Sequence, residues 1–391
     1  MQAQPLGIAD TRQIHYFAPV GEGQRGGIRQ HNRLAENVDG TASLDHPLQY
    51  WLADEASALH RAILTTASTS GKRRDSFPKA GFRRNLLAWF DQNKRDLPWR
   101  KDRDPYHVWI SEIMLQQTRV AAVIDYYQRF LKRFPTIEKL AAAREASVLA
   151  TWSGLGYYRR ARMLHATAKE IAFQRKGRWP TNAADLRELP GIGRYTAAAV
   201  ASIAFDEPVA VVDGNVERIL LRVSGKALAT EKQWRFANEL LSTERPGDSN
   251  QAMMELGATV CLPKQPKCLL CPISKSCATR GELRNEQNGL RQKKKTIAYA
   301  LDRRGGDVFL VQRPRTASLM PGMWELPEIA EQTAQPWLTL RHSITVTDYT
   351  VNVIKEQVSN QPTGRWISAA KATNLPLTGL ARKILRAAKL I

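Results

Sequence analysis

The sequence predicts a mainly α-helical protein with a small α+β domain at its C-terminal end. Apolar residues recur at helical spacing from about residue 80 to residue 242, and Pro and Gly separate the periodic stretches. After the basic run RQKKK at 291–295, the pattern changes to short alternating segments around a Gly-Gly turn. A chain of 391 residues is long enough to bury a large core and favours two domains over one.

The first 75 residues differ from the rest of the chain. They are polar, contain several glycines and show weak periodicity, apart from a stretch near residues 47–65. Such a segment buries too little apolar surface to offset the entropy cost of ordering. We therefore expect residues 1–75 to form a poorly ordered extension with one helix near 47–65, or to be an upstream mis-started reading frame.

Residues 76–282 have the pattern of a helical core. In WISEIMLQQTRVAAVIDYYQRFL (109–131), apolar residues recur at 3.6-type spacing from Ile110 to Leu131, which predicts a helix. Further helices are predicted near residues 137–151, 157–175, 183–189, 194–205, 214–223 and 231–242.

The C-terminal end has a strand pattern. We predict a basic linker at 283–296 and a small α+β domain at 297–391. AYALDRRGGDVFLVQRP indicates two short strands around a Gly-Gly turn, and SITVTDYTVNVIK indicates another strand. LTGLARKILRAAKL predicts a closing helix.

The chain is strongly basic, with a formal net charge of +21. Most of the excess lies in residues 76–295, which contain 38 Lys and Arg against 22 Asp and Glu. Nucleic acid is the commonest partner of such a chain. A membrane surface is the alternative, but the sequence has no basic amphipathic helix with a bulky apolar face and no apolar run near the roughly 18 residues of a span. MQAQPLGIADTRQ lacks the pattern of a secretory signal, so we expect a cytoplasmic, nucleoid-associated protein.

All four cysteines lie between residues 261 and 277, with the spacing Cys261-x6-Cys268-x2-Cys271-x5-Cys277. Disulfides are disfavoured in the reducing compartment that the absence of an export signal predicts. Four thiolates suit structural zinc, but zinc sites commonly use two C-x2-C pairs and only one pair has that spacing here. The wider, unequal spacing favours a [4Fe–4S] cluster, with zinc and then unligated thiols as the alternatives.

A Gly-containing turn joins two predicted helices in LRELPGIGRYTAAAVASIAF (186–205). Glycine permits a positive φ and a close backbone approach, and the free N–H groups of the second helix can receive a phosphate. An ordinary αα-hairpin has the same pattern. The charge excess favours a DNA-binding hairpin whose contact residues are Pro190, Gly191, Ile192, Gly193 and Arg194.

Two carboxylates are candidates for chemistry. Asp213 precedes a predicted helix, where it is also expected as an N-cap. Glu112 lies off the apolar stripe of its helix and is also compatible with a solvated surface residue. They are a hundred residues apart, so the spacing does not pair them.

Seven motifs, the last of them the cysteine pattern, make the chain resemble the adenine DNA glycosylases of the endonuclease III superfamily. They are LPW (97–99), SEIMLQQT (111–118), GLGYYRRAR (154–162), LPGIGRYTA (189–197), VVDGNVER (211–218), NQAMMELGA (250–258) and the four cysteines. The resemblance covers about residues 80–280. It implies a helix-hairpin-helix glycosylase fold, a [4Fe–4S] cluster on the four cysteines, and a monomer that acts on double-stranded DNA with A:8-oxoguanine or A:G mispairs.

The resemblance also assigns roles to individual residues. Glu112 matches the catalytic acid and Asp213 the second catalytic carboxylate. Gln117 and Tyr157 match residues that occupy or wedge the base stack after the adenine is flipped out. The remaining matches are substrate-binding positions: Trp99, Arg100, Asn215 and Glu255.

Tyr195 separates the related activities. In glycosylases that also cut the strand, the corresponding residue of the hairpin motif is a lysine that forms a Schiff base with the sugar. Tyrosine cannot form one, so the resemblance implies a monofunctional glycosylase that leaves an abasic site; a packing role for Tyr195 is compatible with this.

Two alternative functions stay open for the whole protein. One is a related glycosylase for oxidised pyrimidines or T:G mismatches, and the other is a non-catalytic iron–sulfur DNA-binding or redox-sensing protein.

The C-terminal domain more weakly resembles the nudix-like domain by which these enzymes recognise 8-oxoguanine. MPGMWELPE (320–328) and LRHSIT (340–345) carry this resemblance. The family often has Phe-Ser-His at the lesion contact, whereas this chain has Ile344-Thr345-Val346. Thr345 is therefore the candidate DNA-binding residue there. No nudix box with a Glu-rich helix is present, so we expect no nucleotide hydrolysis by this domain.

Overall fold

The computed structural model describes residues 77–282, 293–330, 335–344, 347–358 and 363–391. The expected extension at residues 1–75, with its helix near 47–65, lies outside these ranges. The same holds for most of the predicted linker, residues 283–292, and for Thr345. The described residues contain no helix that is both long and apolar enough to cross a membrane.

The N-terminal part of the described chain is helical, as expected. Its helices are α1 (Lys79–Asn93), α2 (Pro105–Leu115), α3 (Val120–Arg133), α4 (Ile137–Ala141), α5 (Glu145–Trp152), α6 (Tyr158–Lys169), α7 (Ala183–Leu186), α8 (Arg194–Phe205), α9 (Gly214–Ser224), α10 (Thr230–Leu240) and α11 (Pro246–Thr259). Short 3₁₀ turns lie at Pro98–Arg100, Cys268–Leu270 and Ser274–Ser276, and a π-helical turn at Glu170–Gln174 extends α6. Helix α1 lies where the helical pattern was predicted to begin, near residue 80, whereas α11 was not among the predicted helical stretches.

The prediction of one helix across residues 109–131 was wrong. Helix α2 ends at Leu115 and α3 begins at Val120. The chain turns between them because Gln117 has φ +54°, a left-handed conformation that cannot continue a right-handed helix. The periodicity survives the break because both helices bury apolar residues in the same core, α2 with Trp109 and Ile110 and α3 with Phe130.

Helix α2 lies at the centre of the helical part. It packs against α3 and α8, and every residue from Val108 to Met114 is buried. A helix buried on all sides has no polar face, so its single acidic residue, Glu112, is enclosed with the apolar ones.

The C-terminal part combines two small sheets with helices. Its strands are β1 (Lys293–Ala300), β2 (Arg303–Arg304), β3 (Asp307–Gln312), β4 (Trp324–Glu325), β5 (Glu328–Ile329), β6 (Leu338–Ile344), β7 (Thr347–Ile354) and β8 (Gly364–Ser368), and its helices are α12 (Ala369–Ala372) and α13 (Gly379–Ala387). One sheet has the order β5-β1-β7-β6, with β1 and β7 parallel; the other has the order β2-β3-β4, with β8 on β3. Helix α13 packs Leu380, Ile384 and Leu385 into a separate apolar core.

Two predictions in this part need correction. Residues 293–296 of the expected linker form the first half of β1, where they pair with residues 347–350 of β7. SITVTDYTVNVIK contributes to two strands instead of one, because Ile344 of β6 pairs with Thr347 of β7 in an antiparallel hairpin. A period of two continues through a tight hairpin, so alternation alone does not reveal the reversal.

The two parts are joined by hydrogen bonds at the end of α5. The carbonyl of Leu377 accepts from Ser153 Oγ at 2.6 Å and from the Tyr158 hydroxyl at 3.1 Å. Arg382 Nε donates to Ser153 Oγ at 3.0 Å. The strand-rich part is thereby held against the loop that leads into α6.

Candidate active site and nucleic-acid interface

Glu112 is a buried carboxyl with one close polar partner. It lies in α2 and is 6% exposed, and its Oε2 accepts a hydrogen bond of 2.7 Å from the Tyr195 hydroxyl. The pKa of Glu112 is raised to about 7, and burial is the largest cause. The charge of Asp213 adds to the increase, whereas the Tyr195 hydrogen bond and the charge of Arg100 oppose it. The alternative of a solvated glutamate is therefore wrong, and near neutral pH this carboxyl can hold or release a proton.

Tyr195 connects the hairpin to Glu112. It is the second residue of α8, and its hydroxyl also lies 3.1 Å from Met254 Sδ. Burial, followed by the charges of Glu112 and Asp213, raises the pKa of this phenol well above its ordinary value. The hydroxyl therefore stays protonated and donates to the carboxyl.

Asp213 caps α9, as the structural alternative predicted, and also faces Glu112 closely enough to act on its pKa. Its Oδ1 accepts from the backbone N–H of Asn215 at 3.0 Å and of Val216 at 2.8 Å. Its Oδ2 accepts from Asn215 Nδ2 at 3.0 Å. Burial raises the pKa of Asp213, while these three hydrogen bonds and Arg218 oppose the change because they favour the charged form.

Asn215, a predicted substrate-binding residue, holds Asp213 in place. Its Oδ1 accepts from Arg218 Nη2 at 2.9 Å, and Arg218 Nε donates to the carbonyl of Cys261 at 2.9 Å. Helix α11 approaches this turn so closely that a Cβ on Gly257 would lie 2.5 Å from the Cβ of Asn215. Glycine at that position is what allows the approach.

Glu255 and Arg100, two predicted pocket residues, form a buried ion pair. Glu255 is 1% exposed and accepts from Arg100 Nη2 at 2.9 Å. It also accepts from Arg95 Nε at 2.6 Å and Arg95 Nη2 at 2.9 Å. Burial alone would raise the pKa of Glu255, but the two arginines outweigh it and the pKa is lowered. Trp99 is buried edge-on against Tyr127, with ring centroids 5.5 Å apart.

The two predicted wedge residues share an unusual backbone. Gln117 has φ +54° and Tyr157 has φ +48°, and both side chains are exposed, Tyr157 by 50%. The guanidinium of Arg160 donates to the carbonyl of Gln116, which precedes Gln117, and to the carbonyl of Gly156, which precedes Tyr157. The sequence motif GLGYYRRAR contains Arg160, but it stands among other arginines and nothing in the spacing distinguished it.

The hairpin adopts the expected turn. Gly191 has φ +72°, and a Cβ there would lie 2.5 Å from Met163 Cβ, so both the conformation and the space require glycine. The hairpin is held from behind by Thr167, whose hydroxyl donates to the carbonyl of Pro190. Ile192 is buried, and Gly193 is the N-cap residue that precedes α8, so no side chain caps this helix.

Arg194, predicted to bind DNA, is engaged within the protein. Its Nη2 donates to Glu231 Oε2 at 3.2 Å, and its guanidinium carbon lies 4.0 Å from the ring centroid of Trp234. The structure therefore presents the start of α8 through its backbone, with Arg194 held to one side by α10.

The four cysteines converge on one cavity. Its wall includes Cys261, Cys268, Cys271 and Cys277 together with the apolar residues Ile219, Val223 and Ile273. Burial raises the pKa of the Cys271 thiol to about 11, and the charges of the other three cysteines add to the effect. Within the described residues, no three His, Cys, Asp or Glu side chains are grouped as the ligands of a metal ion.

Comparison with known proteins identifies the helical part. The model of the HhH-GPD superfamily of base excision DNA repair proteins matches residues 110–242. The adenine DNA glycosylase of Rattus norvegicus is 51% identical over 211 residues, which are 50% of this chain and 41% of that protein. That of Arabidopsis thaliana is 39% identical over 323 residues, 68% of this chain and 50% of that protein. The solved structure of a thermostable thymine-DNA glycosylase is 31% identical with a TM-score of 0.49, covering 52% of this chain and 96% of that one.

The chain spans less than half of the length of its mammalian relatives. Within the matched segment, the helices, the hairpin and both carboxylates are present in the structure. Residues 110–242 therefore belong to the HhH-GPD superfamily of base excision DNA repair proteins, and the chain is a homologue of adenine DNA glycosylases.

Proposed function

We propose that this protein hydrolyses the N-glycosidic bond of adenine mispaired with 8-oxoguanine or guanine in double-stranded DNA. The observation that carries the proposal is a pair of facing carboxyls: Glu112 is buried and has a pKa of about 7, and Asp213 is partly buried beside it. The identity to adenine DNA glycosylases supports adenine as the base. The excess of basic residues in 76–295 supports DNA as the partner.

The two carboxyls suit the two charges of the reaction. Departure of adenine leaves negative charge on the base and positive charge on the sugar. Glu112, protonated in its buried site, gives its proton to N7 as the C1′–N9 bond breaks. Asp213, oriented by its three hydrogen bonds, stabilises the sugar cation. A water molecule then adds its hydroxide to C1′ and its proton restores the carboxyl, so that adenine and an abasic sugar are released.

Tyr195 supports base release without strand cleavage. A strand-cutting glycosylase needs an amine that attacks C1′ and forms a Schiff base. The group at this position is a phenol that donates to Glu112 at 2.7 Å, which leaves no amine there. The product we propose is an intact strand with an abasic site.

The four cysteines fit a [4Fe–4S] cluster. A tetrahedral zinc ion draws four sulfurs close around one point, whereas a cube with four iron corners takes thiolates that are farther apart around a cavity. The cavity brings Cys261, Cys268, Cys271 and Cys277 together, and their wide, unequal spacing in the sequence favours the cluster over zinc. The bound cluster would fix the loop that carries the four cysteines. The lysines of this loop (Lys264, Lys267 and Lys275) would then contact DNA phosphates.

We infer that the strand-rich part is a nudix-like domain for recognition of 8-oxoguanine. Strand β6 carries Arg341 and His342 and leads toward Thr345. The hydrogen bonds of Leu377 and Arg382 to the end of α5 hold this part beside the helical part, where it can face the opposite strand.

Single-turnover base release tests the proposal. Duplexes with A:8-oxoguanine, A:G and A:T are incubated with excess protein, and free adenine and strand breaks are measured before and after alkali. We expect fast release from A:8-oxoguanine, slower release from A:G, none from A:T, and breaks only after alkali. Breaks before alkali would refute the monofunctional reaction, and tight binding without release would indicate a DNA-binding protein. Brown protein with acid-labile sulfide would support the cluster, whereas colourless protein with one zinc would refute it.

A further inference from the structure

Arg160 contacts both of the segments that carry the predicted wedge residues. It lies in the first turn of α6, and its Nη1 donates to carbonyls at the end of α2: Ile113 at 2.9 Å, Met114 at 3.1 Å and Gln116. Its Nη2 donates to Thr118 Oγ1 at 3.2 Å and to the carbonyl of Gly156 at 3.3 Å. One side chain thus joins the α2–α3 turn to the α5–α6 loop.

The positions of two of these carbonyls are informative. Gln116 precedes Gln117 and Gly156 precedes Tyr157, and Gln117 and Tyr157 are both non-glycine residues with a positive φ. Such a backbone is disfavoured and persists only where its surroundings hold it. The guanidinium binds the peptide group on the N-terminal side of each strained residue.

Aromatic contacts complete the arrangement. The guanidinium carbon of Arg160 lies 5.4 Å from the ring centroid of the buried Trp152 and 5.3 Å from that of the exposed Tyr157. The wedge ring therefore rests on a cation that is itself supported by the core.

The charge and shape of this side chain both matter. Burial lowers the pKa of Arg160 to about 10, so it remains charged at neutral pH. Its planar fork has five N–H donors, whereas the ammonium of lysine has three donors at one point. Lysine cannot bind both carbonyl groups and stack on a ring in the same way.

We propose that Arg160 is a positioning residue that locks Gln117 and Tyr157 as one unit, so that both enter the base stack together when adenine is extruded. The inference rests on the proposed function and adds to it a structural link between the two wedge side chains. It also connects them to Glu112, because the carbonyls of Ile113 and Met114 belong to the helix that carries this carboxyl.

The test compares Arg160→Ala and Arg160→Lys with Arg159→Ala, which removes the same charge from an exposed neighbour. Thermal unfolding checks the fold, and 2-aminopurine beside the target adenine reports extrusion. Single-turnover release from A:8-oxoguanine gives the rate constant. A misplacement of about 1 Å can cost on the order of 100-fold in rate, so we expect a loss of that size in Arg160→Ala and little change in Arg159→Ala. Because lysine keeps the charge but not the fork, we also expect reduced extrusion by Arg160→Lys.

Combination with Tyr157→Ala separates positioning from general stability. If Arg160 acts through the wedge, the double variant releases adenine no more slowly than the worse single variant. Additive losses, or equal losses in the Arg159 and Arg160 variants, would overturn the proposal. If Arg160→Ala does not fold, Arg160→Lys provides the test. Base extrusion and a release rate equal to those of wild type in Arg160→Lys would overturn the proposal. Wild type that extrudes the base without releasing adenine would refute the proposed function, while the fluorescence comparison would still test Arg160.

Discussion

Replacement of Tyr195 by Phe should shift the pH dependence of base release. The hydroxyl of Tyr195 donates to Glu112 Oε2 at 2.7 Å and lowers the pKa of this carboxyl, whose value is about 7. Phenylalanine keeps the ring and removes the donor. The pKa of Glu112 should therefore rise, because the ionised form loses a stronger hydrogen bond than the protonated form does.

The size of the shift follows from the hydrogen bond. A bond to an ionised group contributes about 1.5–3 kcal/mol, and one to a neutral group roughly half of that. The difference between the two protonation states is then about 0.8–1.5 kcal/mol, which at 1.36 kcal/mol per pH unit is about 0.5–1 unit.

The assay is the single-turnover rate constant of adenine release from pH 5 to pH 9. The acid must be protonated, so the rate falls as the pH rises through the pKa of Glu112. In Tyr195→Phe, this descending limb should move to higher pH by about 0.5–1 unit. Tyr106→Phe is the matched control, since it also removes a buried hydroxyl, one that donates to the carbonyl of Phe134 at 2.7 Å.

An unmoved limb, or one that moves to lower pH, would refute the assignment of Glu112 as the titrating acid. An equal shift in Tyr106→Phe would show that the effect does not come from the hydrogen bond to Glu112.

Two further changes have expected outcomes. The pKa of Glu112 is raised to about 7 from an ordinary value of 4.5, so its stabilising contribution is full below pH 4.5 and is lost as the pH rises to 7. The free energy of unfolding of Glu112→Gln, measured by urea denaturation, should therefore exceed that of wild type by about 3 kcal/mol at pH 8 and equal it at pH 4.5. Equal values for the two proteins at pH 8 would contradict the burial argument. Glu255→Gln removes the charge that Arg95 and Arg100 share at 2.6 and 2.9 Å, and it should cost about 3–5 kcal/mol in the same measurement. A loss below 1 kcal/mol would show that the pair is not buried in solution.

The sequence predicted helices in the core because the buried face of α3 and its neighbours repeats at helical spacing. It could not predict the environment of Glu112. Helix α2 is enclosed on every side, and a glutamate outside an apolar stripe has the same pattern whether its neighbour is solvent or another helix. Only the packing of α8, with Tyr195, against α2 distinguishes these cases.

The break at Gln117 and the role of Arg160 were missed for a related reason. Gln117 is not a residue type that signals a turn, and its left-handed backbone is held by donors from Arg160, 44 residues away from Gln116. Likewise, alternation in SITVTDYTVNVIK continues across the β6–β7 hairpin. Contacts of this kind depend on tertiary structure and leave no local pattern.

The most direct test of the central claim is single-turnover adenine release from A:8-oxoguanine at neutral pH by wild type and Glu112→Gln in parallel. Glutamine keeps the size and the hydrogen bond to Tyr195 but has no proton to give. If Glu112 is the acid, wild type releases adenine, and the variant binds the duplex with similar affinity and releases none. Release by the variant at the wild-type rate would contradict the account.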